Sequence, residues 1–168
     1  IVMVGTIRGL VTFSDGSTLD TESPTDFKTI VIKLDSSDGS IIWKRLIETS
    51  RLSGFNLALD SNDDIIITSI YSNPLSNSSG DNYFFKIRYV DGSIIVSDKI
   101  LKSVNPGSSS VSATRELIID NNDNIIITGG YANGPLDVDL SSGVTSGGIG
   151  GSMAQTYMIK YNSNFELV

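Results

Sequence analysis

Apolar positions along the chain fall in short runs, and one run shows no polar alternation at all. Leu59-Asp60-Ser61-Asn62-Asp63-Asp64-Ile65-Ile66-Ile67-Thr68 recurs as Ile119-Asp120-Asn121-Asn122-Asp123-Asn124-Ile125-Ile126-Ile127-Thr128. Each copy is an apolar run, a polar turn of Asp and Asn, and an Ile triplet closed by Thr. This pattern predicts a tight β-hairpin. A strand with one face in water alternates apolar and polar side chains, so an unbroken triplet predicts a second strand covered on both faces.

A second element recurs between the hairpins. Ile32-Lys33-Leu34 leads to Asp38-Gly39-Ser40-Ile41-Ile42, and Phe85-Lys86-Ile87 leads at the same spacing to Asp91-Gly92-Ser93-Ile94-Ile95. Ile159-Lys160-Tyr161, followed by Asn162-Ser163-Asn164 and Phe165 to Val168, is a looser third copy, while Ile1-Val2-Met3-Val4-Gly5 echoes the Ile triplets. One repeat therefore reads as four strands. Strand one covers Phe55 to Leu59 or Glu116 to Ile119, and strand two Ile65 to Tyr71 or Ile125 to Tyr131. After a Gly/Ser/Asn-rich loop, strand three covers Thr29 to Leu34, Tyr83 to Tyr89 or Thr156 to Tyr161. An Asp-Gly pair, which favours a primed hairpin turn because Gly accepts positive φ, leads to strand four at Ser40 to Ile47 or Ser93 to Leu101. Lys44, Arg45, Glu48, Asp98, Lys99 and Lys102 mark strand four as a polar outer edge, where charge discourages further pairing.

Helix signals are nearly absent, so the fold class is all-β. Four-stranded antiparallel units of this length are the unit of a β-propeller, and the expected architecture is about three blades of one. The blades are 1–50 (first strand missing), 51–104 and 111–168. A β-sandwich of hairpins is the alternative, and a β-solenoid ranks third because its rungs would be shorter. Closed propellers have about 4 to 8 blades. The expectation is thus a piece of a longer chain, or copies that join to close the ring.

Composition narrows the function. The 168 residues carry Lys+Arg 12 against Asp+Glu 19, a net charge of −7. That balance argues against nucleic acid, whose phosphates call for a basic surface, and against docking on anionic membranes. No Cys and no His are present, which removes thiol chemistry and the commonest general base and metal ligand. No run approaches the roughly 20 apolar residues of a spanning helix, so membrane insertion is not expected.

The residues Leu117-Ile118-Ile119-Asp120-Asn121-Asn122-Asp123-Asn124-Ile125-Ile126-Ile127-Thr128-Gly129 resemble the SBBP-type β-propeller repeat of bacteria and archaea. Tyr157 to Asn164 resembles that repeat's third strand, and Leu136-Asp137-Val138-Asp139 its intervening loop. Leu34-Asp35-Ser36-Ser37-Asp38-Gly39-Ser40-Ile41-Ile42-Trp43 is similar to the quinoprotein-type repeat, in which the Trp docks between blades. Val96 stands where the second copy would repeat Trp43, so the motif is expected to serve blade packing and no quinone cofactor is expected. The resemblance implies a secreted or cell-surface repeat protein within a larger chain.

Several residue sets are candidate chemistry. Asp60-x-Asn62-x-Asp64 and Asp120-x-Asn122-x-Asn124 have the alternate oxygen spacing of calcium loops. However, Ile65 and Ile125 stand where such loops place Gly, and no bidentate Glu follows. Asp and Asn are also the residues that build turns by bonding their own backbone, and that is the expected role. Asp137 and Asp139 could pair as glycosidase carboxylates, but a solvated loop is expected. The stretch Ser36 to Trp43 misses the sialidase Asp box by one position in its Gly. Tyr71, Tyr83, Phe84, Phe85, Tyr89 and Tyr131 could stack on a sugar, though packing between blades is the expected use. No catalytic, cofactor-binding or metal-binding residue is assigned.

The sequence thus predicts a non-enzymatic scaffold, adhesion or assembly module, extracellular or on the cell surface. Its partners would be the remaining blades of a longer chain or further copies of itself, with a protein or glycan at the loops 71–81 and 131–155, since loops carry function on rigid frameworks. Two alternatives stand beside it: part of a propeller enzyme with its catalytic residues in other blades, and a self-assembling structural subunit.

Overall fold

The computed structural model describes residues 1–22, 27–50, 52–71, 81–103, 113–131, 136–140, 146–147 and 155–168. Every element in them is a β-strand and every strand pairing is antiparallel. The first sheet has the order β1-β4-β5, from β1 (Val2–Arg8), β4 (Phe27–Leu34) and β5 (Ile41–Ser50). Between β1 and β4 the chain makes a small hairpin of β2 (Leu10–Thr12) and β3 (Thr18–Asp20). The middle sheet begins with β6 (Leu52–Leu59), β7 (Ile65–Tyr71), β8 (Asn82–Ile87) and β9 (Ile94–Ser103). The third sheet is β10 (Ala113–Ile119), β11 (Ile125–Tyr131) and β14 (Gln155–Tyr161), with a single bridge from Tyr161 to Leu167.

The all-β reading holds, and β7 and β11 begin and end where the apolar pattern placed them. The neighbouring strands run longer: β6 and β10 start before Phe55 and Glu116, because backbone pairing continues across an irregularity between Ser53 and Asn56 and another between Thr114 and Glu116. Two strand pairs had no sequence signal. One is β2–β3; the other is β12 (Leu136–Asp137) with β13 (Ser146–Gly147), both inside the long loop 131–155. β12 pairs with β9, Leu136 opposite Ser103 and Asp137 opposite Lys102, so the middle sheet runs β6-β7-β8-β9-β12-β13. The expectation that β9 is a free polar edge is therefore corrected: charge did not keep a strand off it. Of the residues invoked for that edge, the side chains of Glu48, Asp98 and Lys102 lie outside the described residues.

The Ile triplets show how the sheets meet. Successive strand residues point to opposite faces, and in β7 both faces find apolar cover. Ile65 and Ile67, with Phe85 and Ile87 across the ladder, pack with Val31 and Ile47 of the first sheet and with Leu52. Ile66, with Phe84 and Leu101, packs with Leu117, Ile125, Ile127, Ile159, Tyr161 and Phe165 of the third. Phe84 stands edge-on to both Tyr161 and Phe165, with ring centroids 6.0 Å apart in each pair, the geometry in which ring edge meets ring face favourably. The middle sheet is thus sandwiched between its neighbours. The outer faces of the flanking sheets are not covered alike: Met3 is 53% exposed and Met158 is 76% exposed.

The turns also differ from expectation in one respect. At Asp38-Gly39 and Asp91-Gly92 only the glycines have positive φ, 74° and 70°. A primed two-residue turn needs positive φ at both central positions or at the first of them. Instead Asp35 N–H bonds Ser40 O and Gly39 N–H bonds Asp35 O, closing a longer loop over residues 36–39.

Ile66 and Ile126 hold the same repeat position, but Ile66 is 1% exposed and Ile126 is only half-buried. Ile66→Ala should lower unfolding free energy by about 2–5 kcal/mol, the usual cost of a core cavity. Ile126→Ala should cost less than half as much, as read by denaturant unfolding of both variants. Equal losses would contradict the two-sided cover of the middle sheet.

Candidate functional site

The two Asp/Asn hairpins lie side by side on one rim, and their chemistry is already in use. Asp60 Oδ1 accepts the amides of Asn62 at 3.0 Å and Asp64 at 2.9 Å, and Asp120 Oδ1 accepts those of Asn122 and Asn124 at 2.9 Å. Asp63 and Asp123 supply the left-handed residue, with φ 62° and 60°, a conformation that Asp tolerates better than most side chains. Each is a three-residue loop of the kind a type I turn and one left-handed residue make. The turn role expected for these residues is the one the structure shows.

The carboxylates also meet lysines from the third strand of each unit. Lys86 Nζ lies 2.7 Å from Asp60 Oδ2 and 3.7 Å from Asp64, and Lys160 Nζ lies 2.9 Å from Asp120. Asp60 is buried, so an unpaired charge there would be costly; the Lys86 ammonium offsets part of that cost. The hairpins are joined to each other as well: Ser61 N–H donates to Asp123 Oδ1 at 2.8 Å, and Ser61 Oγ–H donates to Oδ2. Among the described residues, no group of three or more Asp or Glu stands together in a manner suited to a metal ion.

A second cluster joins the first two sheets. Trp43 Nε1 donates to Tyr89 O at 3.0 Å, Arg45 Nε donates to Gly92 O at 2.8 Å, and Lys33 Nζ lies 3.5 Å from the Tyr89 ring centroid. The Trp43 ring rests on the glycine turn: a Cβ built on Gly92 would stand 2.8 Å from Cε3. This is packing between sheets, the use expected of the motif.

The remaining candidates lie near β12. Asp137 is buried rather than solvated, and Asp139 lies past the end of the strand, its amide 3.4 Å from Asp137 Oδ1. The two carboxylates therefore do not share a strand face. Leu140 is buried in the core shared by the middle and third sheets, and Tyr161 donates its hydroxyl to Val138 O at 2.9 Å. Burial holds the Tyr161 hydroxyl well above the usual phenol range, with Tyr157 adding to it, so it remains a neutral donor. Beside this segment is a hollow of about 280 Å³ lined by Tyr131, Leu136, Val138, Thr156, Tyr157, Met158 and Ile159. Among the described residues its lining includes no carboxylate, amine or imidazole; the side-chain polar groups there are the hydroxyls of Tyr131, Thr156 and Tyr157.

Of the aromatic candidates, Phe84 and Phe85 are fully buried, and Tyr83 and Tyr89 pack against the core of the first two sheets. Tyr131 is buried beside Tyr157. The side chain of Tyr71 and residues 72–80 of the loop 71–81 lie outside the described residues. No family profile, no curated protein and no solved structure matches the chain.

The Asp120 carboxyl is held far below its ordinary value of 3.8, first by the Asn124 side chain and next by Lys160. A folded value below the unfolded one means that the unfolded chain takes up the proton first as pH falls. This group's contribution is full above 3.8 and is lost progressively as pH drops toward the folded value. Asp120→Asn should flatten the loss of thermal stability on acidification below that point; an unchanged acid slope would remove Asp120 from the linkage. At the other cluster, Gly39→Ala faces only the left-handed backbone, a cost of about 1–2 kcal/mol. Gly92→Ala adds the collision with Trp43 and should cost more, with a shifted Trp43 emission that Gly39→Ala does not produce.

Proposed function

We propose that this chain is a non-enzymatic scaffold of β-propeller type, an adhesion or assembly module of a secreted or cell-surface protein. The observation that carries the reading is the middle sheet. Its two faces are covered by preceding and following units through residues at equivalent repeat positions, which is how blades stack. The SBBP-type resemblance supplies the extracellular setting. The hollow beside Tyr131 and the loop 71–81 are the surfaces at which it would meet a protein or glycan; the aromatic and aliphatic walls of the hollow suit contact with an apolar or sugar face.

A second reading, the self-assembling subunit, is favoured by the apolar outer faces, Ile1 and Met3 on the first sheet and Ile118 and Met158 on the third. Faces of this kind at both ends suit head-to-tail association. One experiment separates the two: immunodetection of the native polypeptide in fractions of its source cells. The module reading expects it in the medium or on the intact surface, in a polypeptide heavier than the 18.0 kDa of these residues. Recovery at 18.0 kDa in a large assembly would favour the subunit, and confinement to the cytosol would overturn the extracellular assignment.

A further inference from the structure

Three lysines hold one repeat position, and one of them differs. Lys86 and Lys160 each meet the Asp that ends the first strand of their own unit. Lys33 meets no carboxylate among the described residues; its Nζ donates to Tyr89 O at 3.2 Å. The reason is local. β6 lies along β7 and β10 along β11, but the same edge of β1 has no strand paired to it among the described residues.

Two further observations point to the same place. Ser61 of the middle hairpin donates to Asp123 of the next. Asp63, at the position equivalent to Asp123, is exposed, and no hydrogen bond reaches it from a preceding hairpin among the described residues. The β1 edge itself is also unguarded: Val2 to Ile7 includes no charged residue and no proline, the devices that normally keep strands apart.

The backbone of β1 is set for pairing. Ile1 and Leu34 exchange two bonds, Ile1 N to Leu34 O at 2.9 Å and Leu34 N to Ile1 O at 2.8 Å. Bonded and non-bonded pairs alternate along an antiparallel ladder, so the N–H groups of Val2, Val4 and Thr6 point away from β4. The equivalent residues of β7, Ile66 and Thr68, lie opposite Ala58 and Asn56 of β6.

We propose that the outer edge of β1 is a strand-acceptor site for an extended segment of the same type as β6 and β10. The segment runs antiparallel to β1 and ends in Asp followed by a small polar residue. Main-chain bonds from Val2, Val4 and Thr6 give the affinity, as in other strand additions. The terminal Asp draws Lys33 from the Tyr89 carbonyl into an ion pair, and the residue after it donates to Asp63. This inference rests on the equivalence of the repeats, not on closure of a propeller or on an extracellular setting.

The test uses a capped synthetic peptide of residues 113–124 added to the 168-residue protein. Trp43, the only Trp, shares the Tyr89 carbonyl with Lys33 and reports the movement by its emission. Expected is saturable one-to-one binding, weakened ~10-fold by Asp120→Ala in the peptide or Lys33→Met in the protein, as for loss of one charge-assisted hydrogen bond. Val4→Pro should abolish binding while circular dichroism stays native, since proline removes an outward donor and is tolerated at an edge. Absence of saturable binding to the natural protein would overturn the site. So would equal affinity of the Asp120→Ala peptide, which would mean unspecific edge association. Self-association that Val4→Pro abolishes and the peptide cannot disperse would make the occupant a second copy and overturn it too.

Discussion

The cover of both faces of β7 is the constraint on which the other contacts depend. Three consecutive isoleucines can all be buried in a strand only if apolar surface approaches from two sides. Each side chain so buried contributes about 1.5–3 kcal/mol. Leaving Ile66 in water while Ile65 and Ile67 are covered would forfeit a third of that sum, so the triplet requires two partner sheets. The partners are built by the same repeat, which is why Val31 answers Ile65 and Ile67 on one side while Ile127 and Ile159 answer Ile66 on the other. Period-two alternation within a strand becomes, through this triplet, alternation between two separate cores.

Stacking of sheets leaves their rims to be organised by polar groups, and here the Asp hairpins act. A turn that ends an apolar strand exposes backbone amides with no ladder partner. Asp60 and Asp120 satisfy two of these each, and Lys86 and Lys160 neutralise the carboxylates where they approach the sheets. The bond from Ser61 to Asp123 then ties one rim to the next. Asp123 is held below its ordinary carboxylate value by Ser61 first, through hydroxyl and then amide. In the spacing that suggests a calcium loop, the Asp60 and Asp120 oxygens bind turn amides and meet lysines.

What the sequence disclosed was whatever repeats in it. The Ile triplets located β7 and β11 to the residue, and the recurring Lys and Asp-Gly located the third and fourth strands to within a few residues. Trp43 was readable as a packing residue because Val96 breaks the motif. Elements stabilised by tertiary pairing alone left no trace. Leu136–Asp137 is too short for a period to show, and its strand character comes from β9, not from its own residues. Asp137 looked like a solvated loop residue for the same reason. The Asp-Gly turns were read by their commonest short form, whereas the bonds of Asp35 with Ser40 and Gly39 select a longer loop whose left-handed residue is its last, Gly39.

β12 and β1 show two sides of one strand-edge problem. An outer strand such as β9 presents unpaired N–H and C=O groups, and the charged residues in its sequence read as a guard. Instead the chain returns from the third unit, lays Leu136 and Asp137 along β9 and buries Leu140 in the core shared with the third sheet. The pairing joins neighbouring units through backbone, which side-chain packing alone does not do, and it limits sliding of one sheet over the next because a register slip would turn Leu136 out of its site. In the first unit the short strand β2 pairs with β3 and with no other strand among the described residues, and its Leu10 is 66% exposed. On the other side of the repeat, β7 and β11 carry β6 and β10 along an edge that in β1 has no paired strand among the described residues, so one repeat presents the same backbone edge both satisfied and unsatisfied.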